Sequence, residues 1–239
     1  MAGLTYPLLF IFALAPSFIW LAFYLRKDAH PEPNRMIIKI FLAGMLVAIP
    51  AIYIENFLKG VFSALPLFPT AFLLVHFLLG IALVEELLKY AVVRLGAFSR
   101  AVLDEPLDVM LYMVISALGF AALENTLLLF KLVETYSISD IFLVNVIRFV
   151  EAIFLHALAS GLFGYFIALS LLRKKGALLL FLTGLGFASV LHGLFNFYIF
   201  TIGDKGLFPL LLPIIPLLIL AFWVSFAFQG QCVYFNGLF

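Results

Sequence analysis

Long apolar runs, each closed by a short polar or charged break, follow one another along the chain. They predict about seven helices, roughly 4–25, 36–54, 71–97, 107–130, 141–172, 177–200 and 207–228. Each is near the ~20 residues that an α-helix needs to cross ~30 Å of hydrocarbon. The clearest break is Arg26-Lys27-Asp28-Ala29-His30-Pro31-Glu32-Pro33-Asn34-Arg35. Pro209, Pro213 and Pro216 should kink or shorten the start of the last helix. The third and fifth runs are long, which predicts tilt or extension past the bilayer.

Composition agrees with that pattern. The chain has 239 residues, 66% of them hydrophobic and 11% charged, with a mean hydropathy of +1.22. Soluble domains sit near 45–50% apolar and about 25% charged. The expected fold is therefore all-α, a polytopic transmembrane bundle in one domain over 1–228, with a tail at 229–239 set aside. No soluble domain or internal repeat is visible. A net charge of +1 implies no nucleic-acid partner, and the single cysteine, Cys232, rules out an intrachain disulfide. The N-terminus lacks a basic region before its apolar stretch, so it reads as a first span rather than a signal peptide.

Basic residues sort the loops. Ten of them (Arg26, Lys27, Arg35, Lys39, Lys89, Arg94, Arg100, Arg173, Lys174, Lys175) fall in or beside the odd-numbered connections, against three (Lys59, Lys131, Lys205) for the even ones. The odd loops should be cytoplasmic, with the N-terminus outside and the C-terminus inside.

Polar groups interrupt several spans. They are Glu85 and Glu86 on the third, Glu124 and Asn125 on the fourth, His156 on the fifth, and His192 and Asn196 on the sixth. An ionised residue at the centre of a bilayer costs ~2.5–3.5 kcal/mol on insertion scales, so such residues usually serve a function. At ~1.5 Å of rise per residue, Glu85 and His156 fall near the midplane, with His192 ~6 Å and Glu124 ~9 Å toward the outside. Four helices thus deliver acid and imidazole to one layer. Glu85 and Lys89 are i, i+4 and share a face, as do His192 and Asn196. Arg148 and Glu151, i, i+3 on the fifth span, read as a structural ion pair outside the site. His76 reads as a packing residue and His30 as a loop residue. Asp104, Glu105 and Asp108 mark the entry of the fourth span.

These residues carry a resemblance. Glu85-Glu86-x-x-Lys89, Phe120-x-x-x-Glu124-Asn125, His156 and His192-x-x-x-Asn196 together resemble the PrsW family of intramembrane proteases, over about residues 70–200. That family is distantly similar to the CAAX-prenyl endopeptidase and bacteriocin-processing family, whose motifs are a paired Glu, F-x-x-x-H and H-x-x-x-N/D. Glu124 departs from that second motif, which fits PrsW better. The resemblance implies a cell-membrane endopeptidase that cuts a membrane-anchored protein, such as an anti-sigma factor, on its extracytoplasmic side. Other classes lack their motifs here: there is no H-E-x-x-H, and Ile202-Gly203-Asp204 lacks the first glycine of G-x-G-D. Ala159-Ser160-Gly161 reads as small-residue helix packing rather than a serine nucleophile.

In this reading Glu85 is the base that activates water and Glu86 assists. Glu124 and His156 bind or orient the nucleophile, and His192 and Asn196 stabilise the oxyanion or ligate a metal. Lys89 and Asn125 are supporting residues. Glu124, His156 and His192, with one of Glu85 or Glu86, offer a ligand set for zinc or another divalent metal. Glutamate catalysis without metal is the alternative, as argued for the CAAX-type relatives. A proton-coupled transporter or channel is the competing class, because buried Glu and His also build proton relays.

The loop asymmetry gives a direct expectation. Single cysteines placed in the 26–35 and 173–175 loops, in a chain whose Cys232 is replaced by Ser, should resist impermeant thiol reagents added outside intact cells. Strong labelling of either loop would reverse the orientation.

Overall fold

A computed structural model describes residues 2–26, 31–98, 103, 105–173, 175–202, 211–222 and 224. Its described elements are helical: α1 (Ala2–Leu25), α2 (Asn34–Ser63), α3 (Pro69–Val75), a π-helical segment (His76–Ala82), α4 (Leu83–Gly96), α5 (Pro106–Leu132), α6 (Ile138–Val150), α7 (Ala152–Leu172) and α8 (Ala177–Ile202). The π-helical segment joins α3 to α4, so that Pro69–Gly96 forms one span. Six stretches are long and apolar enough to cross a membrane, which makes this a multi-pass helical bundle. Of the seventh predicted span, residues 214–222 are helical. Asp104, Lys174, Pro209 and the 229–239 tail lie outside the described residues, as does His30.

Helix α5 is the axis of the bundle, with 72% of its apolar window buried against 28–50% for the other spans. It packs against α1, α2, α4, α6 and α7. Small residues permit the close crossings, as expected where helices gain nothing from leaving lipid and rely on packing. A Cβ on Gly119 of α5 would overlap the Phe41 carbonyl of α2, and one on Gly44 of α2 would overlap the Ser116 carbonyl of α5. A Cβ on Gly164 of α7 would sit 2.8 Å from Met110 Cα of α5. The outer faces carry exposed Tyr, Phe and Leu, for example Tyr53, Phe57, Leu178 and Phe222, which suits a lipid-facing surface.

Two spans depart from the pattern read from sequence. The second runs to Ser63 rather than 54, because Glu55-Asn56 is a polar step within a helix that continues through Phe57, Leu58 and Val61. The fifth is broken at Glu151, which has φ −116° and ψ −77° and separates α6 from α7. A break frees backbone groups that hydrocarbon cannot satisfy. Here Trp20 Nε1 donates to the Phe149 carbonyl at 2.8 Å, and its ring stacks on Phe154 with centroids 4.2 Å apart. The break also separates Arg148 from Glu151. The expected ion pair between them is replaced by Arg148 to Glu124 at 3.2 Å.

A polar lattice ties α1, α5 and α6. Asn125 Nδ2 donates to the Ala13 carbonyl (2.8 Å) and to Asn145 Oδ1 (2.7 Å), and Asn145 Nδ2 donates to the Phe12 carbonyl (3.0 Å). At the other end of the bundle Tyr112 donates to Glu32 at 2.5 Å, and Glu105 with Asp108 forms a capping box at the start of α5. His76 packs as read from sequence, its ring stacked on Phe72.

The two kinds of glycine should respond oppositely to one methyl group. Gly119→Ala pushes backbone against backbone, so it should destabilise the protein by about 1–3 kcal/mol, the usual cost of overpacking. Gly60, on the same bundle but with nothing near its Cβ position, should tolerate Ala and gain up to about 1 kcal/mol of helix propensity. Thermal unfolding of both variants in detergent checks this pair.

Candidate active site

Helix α4 presents Glu85, Glu86 and Lys89 on one wide face, all buried. Opposite them α7 presents His156 and, one turn on, Ser160, while α8 presents His192. The approach of α8 depends on Gly193, where a Cβ would lie 2.8 Å from Leu78 Cα in the π-helical segment. That contact brings His192 against the α4 carboxylates.

Lys89 sits at the hub. Its ammonium donates to Glu86 Oε1 (2.8 Å), Glu85 Oε2 (3.2 Å) and His156 Nδ1 (2.8 Å), and lies 4.7 Å above the Phe120 ring. An ammonium has no acceptor, so His156 Nδ1 accepts and its proton sits on Nε2. Nε2 in turn lies 2.9 Å from Glu124 Oε2. Glu124 Oε1 receives Arg148 Nη2, and Arg148 Nε donates to Asn125 Oδ1 at 2.8 Å. Glu86 is enclosed by three donors: Lys89, Ser160 Oγ at 2.6 Å and His192 Nδ1 at 3.2 Å.

Each imidazole is thus gripped through one nitrogen by a carboxylate, His156 by Glu124 and His192 by Glu86. The other nitrogens face Glu85 Oε2, with His156 Nδ1 at 3.7 Å and His192 Nε2 at 3.8 Å. Glu85, His156 and His192 place donor atoms within 4.8 Å of one another, close enough to hold a metal ion. Two imidazoles and one carboxylate are a catalytic zinc donor set, and a carboxylate on the far ring nitrogen is the usual support for a ligating histidine. The residues present therefore fit a divalent ion.

The site opens into a cavity of about 510 Å³. Glu85, Glu124, His156 and Asn196 line it, as do Glu55 of α2, Arg148 and Glu151; Glu86 and Lys89 lie behind its wall. The sequence-predicted residues Glu85, Glu86, Glu124, His156 and His192, with supporting Lys89, form one connected cluster. Asn196 lines the cavity, and Asn125 reaches the cluster through Arg148. Glu124 stands one bond out from the metal-capable group, where Glu85 supplies the carboxylate.

Three residues were missed or set aside in the sequence. Glu55 lay beyond the predicted end of its span, although the apolar pattern resuming at Phe57 was the available signal. Arg148 was assigned to Glu151 on the assumption of an unbroken helix. Ser160 was read as packing, and its i+4 spacing from His156 was the clue that it shares the site face.

The chain matches the family model described as "PrsW family intramembrane metalloprotease" over residues 32–228. It is 30% identical over 215 residues to Protease PrsW of Oceanobacillus iheyensis, covering 88% of this chain and 89% of that one. Protease PrsW of Geobacillus kaustophilus is 32% identical over 147 residues (60% and 58%), and that of Bacillus subtilis 27% over 186 residues (77% and 79%). No solved structure matches the chain. A match across most of the chain, and relatives matched over most of their own length, decide for hydrolysis over transport: this chain belongs to the PrsW family of intramembrane metalloproteases and is an intramembrane protease.

Proposed function

We propose that the protein cleaves a membrane-anchored protein, of the anti-sigma-factor type, on the extracytoplasmic side of the cell membrane, with Glu85 at the centre of the chemistry. One observation carries this reading: Glu85 is the carboxylate that both faces the two imidazole nitrogens not gripped by Glu124 or Glu86 and opens to the cavity. Glu85, His156 and His192 would hold the ion. A bound divalent ion, zinc by its donor preference, would polarise the scissile carbonyl and acidify water.

The side chains divide the remaining work. Glu124 accepts the Nε2 proton of His156, which fixes the tautomer that turns Nδ1 toward Glu85. Glu86 does the same for His192, and Lys89 and Ser160 hold Glu86 in place. Without the ion, Glu85 takes a proton from water at the cavity wall. Asn196 offers an amide N–H to the carbonyl oxygen of the bound peptide. Phe77, Leu127 and Ile147 line the cavity and limit water beside the reacting groups.

The direction in which the cavity leads supports this side of cleavage. From Glu85 it runs past Glu124 and Glu55 toward the helix ends at Ser63, Leu132 and Ile202. Eight residues separate Glu55 from Ser63, about 12 Å of helix. Those ends join the connections that carry few basic residues, which supports the extracytoplasmic side and an N-terminus outside.

Glu85→Gln should lower cleavage of a single-span substrate by roughly 10²–10⁴-fold, the usual cost of losing an acid–base group. Elemental analysis of the same variant then separates its roles: metal retained marks Glu85 as base alone, metal lost marks it as ligand. Wild-type cleavage rates in this variant would sink the assignment.

Glu124→Ala acts one bond further out. It should reduce metal affinity or activity by about 10–100-fold, the range for loss of a carboxylate behind a ligating histidine. Metal titration of the purified protein, with activity before and after chelation, is the check. Full activity in wild-type protein without stoichiometric metal would leave glutamate catalysis alone.

A further inference from the structure

We propose that the wall of the cavity away from the reacting groups is a subsite for a basic side chain of the substrate, held between Glu55 and Glu151; this rests on the protease reading. Charge does not balance along this cavity. Four carboxylates line the cavity, Glu55, Glu85, Glu124 and Glu151, and one cation, Arg148. Arg148 is committed to Glu124 and Asn125. Lys89, behind the wall, is committed to Glu85, Glu86 and His156. Neither Glu55 nor Glu151 is ion-paired with a cation of the described residues.

Burial makes this imbalance significant. Glu151 is 2% exposed, and its buried Oε1 has no hydrogen-bond partner. A carboxylate buried without a partner is costly. It also sits at the break between α6 and α7, so its place at the cavity wall comes from an interrupted span rather than from regular packing. Glu55, half-buried on α2, makes no hydrogen bond or ion pair with any described residue. Neither belongs to the group able to hold a metal.

The remaining wall selects the partner. Ile52, Leu127 and Ile147 are apolar. A lysine or arginine matches both features, with its aliphatic stem on these side chains and its charged head at the carboxylates. The subsite thus favours substrates with a basic residue near the scissile bond.

The test uses purified full-length protein and synthetic single-span peptides that share one apolar segment. Lys, Arg, Met or Glu is walked through the positions flanking the cleaved bond. At one position kcat/KM should favour Lys or Arg over Met by roughly tenfold or more. That ratio should fall toward one in Glu55→Gln and in Glu151→Gln, and Glu55→Lys should invert it in favour of Glu. If Glu151→Gln does not fold, the two Glu55 variants carry the test, since Glu55 is less buried. Wild-type cleavage without a charge preference at any position, or a preference unchanged in the variants, overturns the subsite. If no peptide is cleaved, the protease reading is what fails. The subsite is then judged by direct binding of the Lys and Met peptides to wild type and Glu55→Gln: tighter Lys binding that is lost in the variant supports it, and equal binding overturns it.

Discussion

The ion cluster around Lys89 is the constraint on which the rest of the site depends. Glu86 and Lys89 are fully buried, in a bundle whose surroundings supply no water to stabilise charge. Each carboxylate in such a place must find donors or be expelled from it. Glu86 finds three, from its own helix, from α7 and from α8. That requirement fixes the mutual position of three helices more tightly than apolar packing would, because donor and acceptor distances tolerate only a few tenths of an ångström. Removing one partner of such a buried pair typically costs ~3–5 kcal/mol, since the charge left behind has no alternative.

The two adjacent glutamates consequently do different things. Glu86 points into the packed interior and holds His192, Lys89 and Ser160 together. Glu85, about 100° around the helix, reaches the cavity and faces both imidazoles. An adjacent pair on one helix is a compact way to supply one carboxylate that builds the site and another that meets the substrate. Glu124 repeats the building role from α5, with Arg148 behind it and Asn125 behind Arg148. The polar chain then continues to the backbone of α1 through Asn125 and Asn145. A disturbance in the packing of α1 thus has a physical route to His156.

The interrupted elements stand next to the chemistry. The π-helical segment precedes the glutamate pair and gives α8 a close approach at Gly193. The break at Glu151 lies five residues before His156 and turns a 35-residue apolar stretch into two helices. Such irregular backbone is tolerated at membrane depth where it lines a cavity or is buried in protein. Both conditions hold here, with Glu151 at the cavity wall and Trp20 closing the freed carbonyl of Phe149.

The sequence by itself determined the fold class, the approximate spans and most of the residues that meet in the site. Apolar run length and the cost of buried charge are local properties, so Glu85, Glu86, Glu124, His156 and His192 stood out wherever their helices went. The i, i+4 pairing of Glu85 with Lys89 was equally legible, because it depends on one helix alone. What only the tertiary structure decided is which partner each group takes. Lys89 reaches His156 across 67 positions of sequence, and Ser160 reaches Glu86 across 74. No periodicity encodes such pairings. Packing likewise decides that Glu124 meets His156 at Nε2, while Glu85 faces Nδ1 of His156 and Nε2 of His192. Arg148 left its expected partner because a helix break, invisible in an unbroken apolar run, redirected the chain at Glu151. Local chemistry selected the participants, and helix packing assigned their roles.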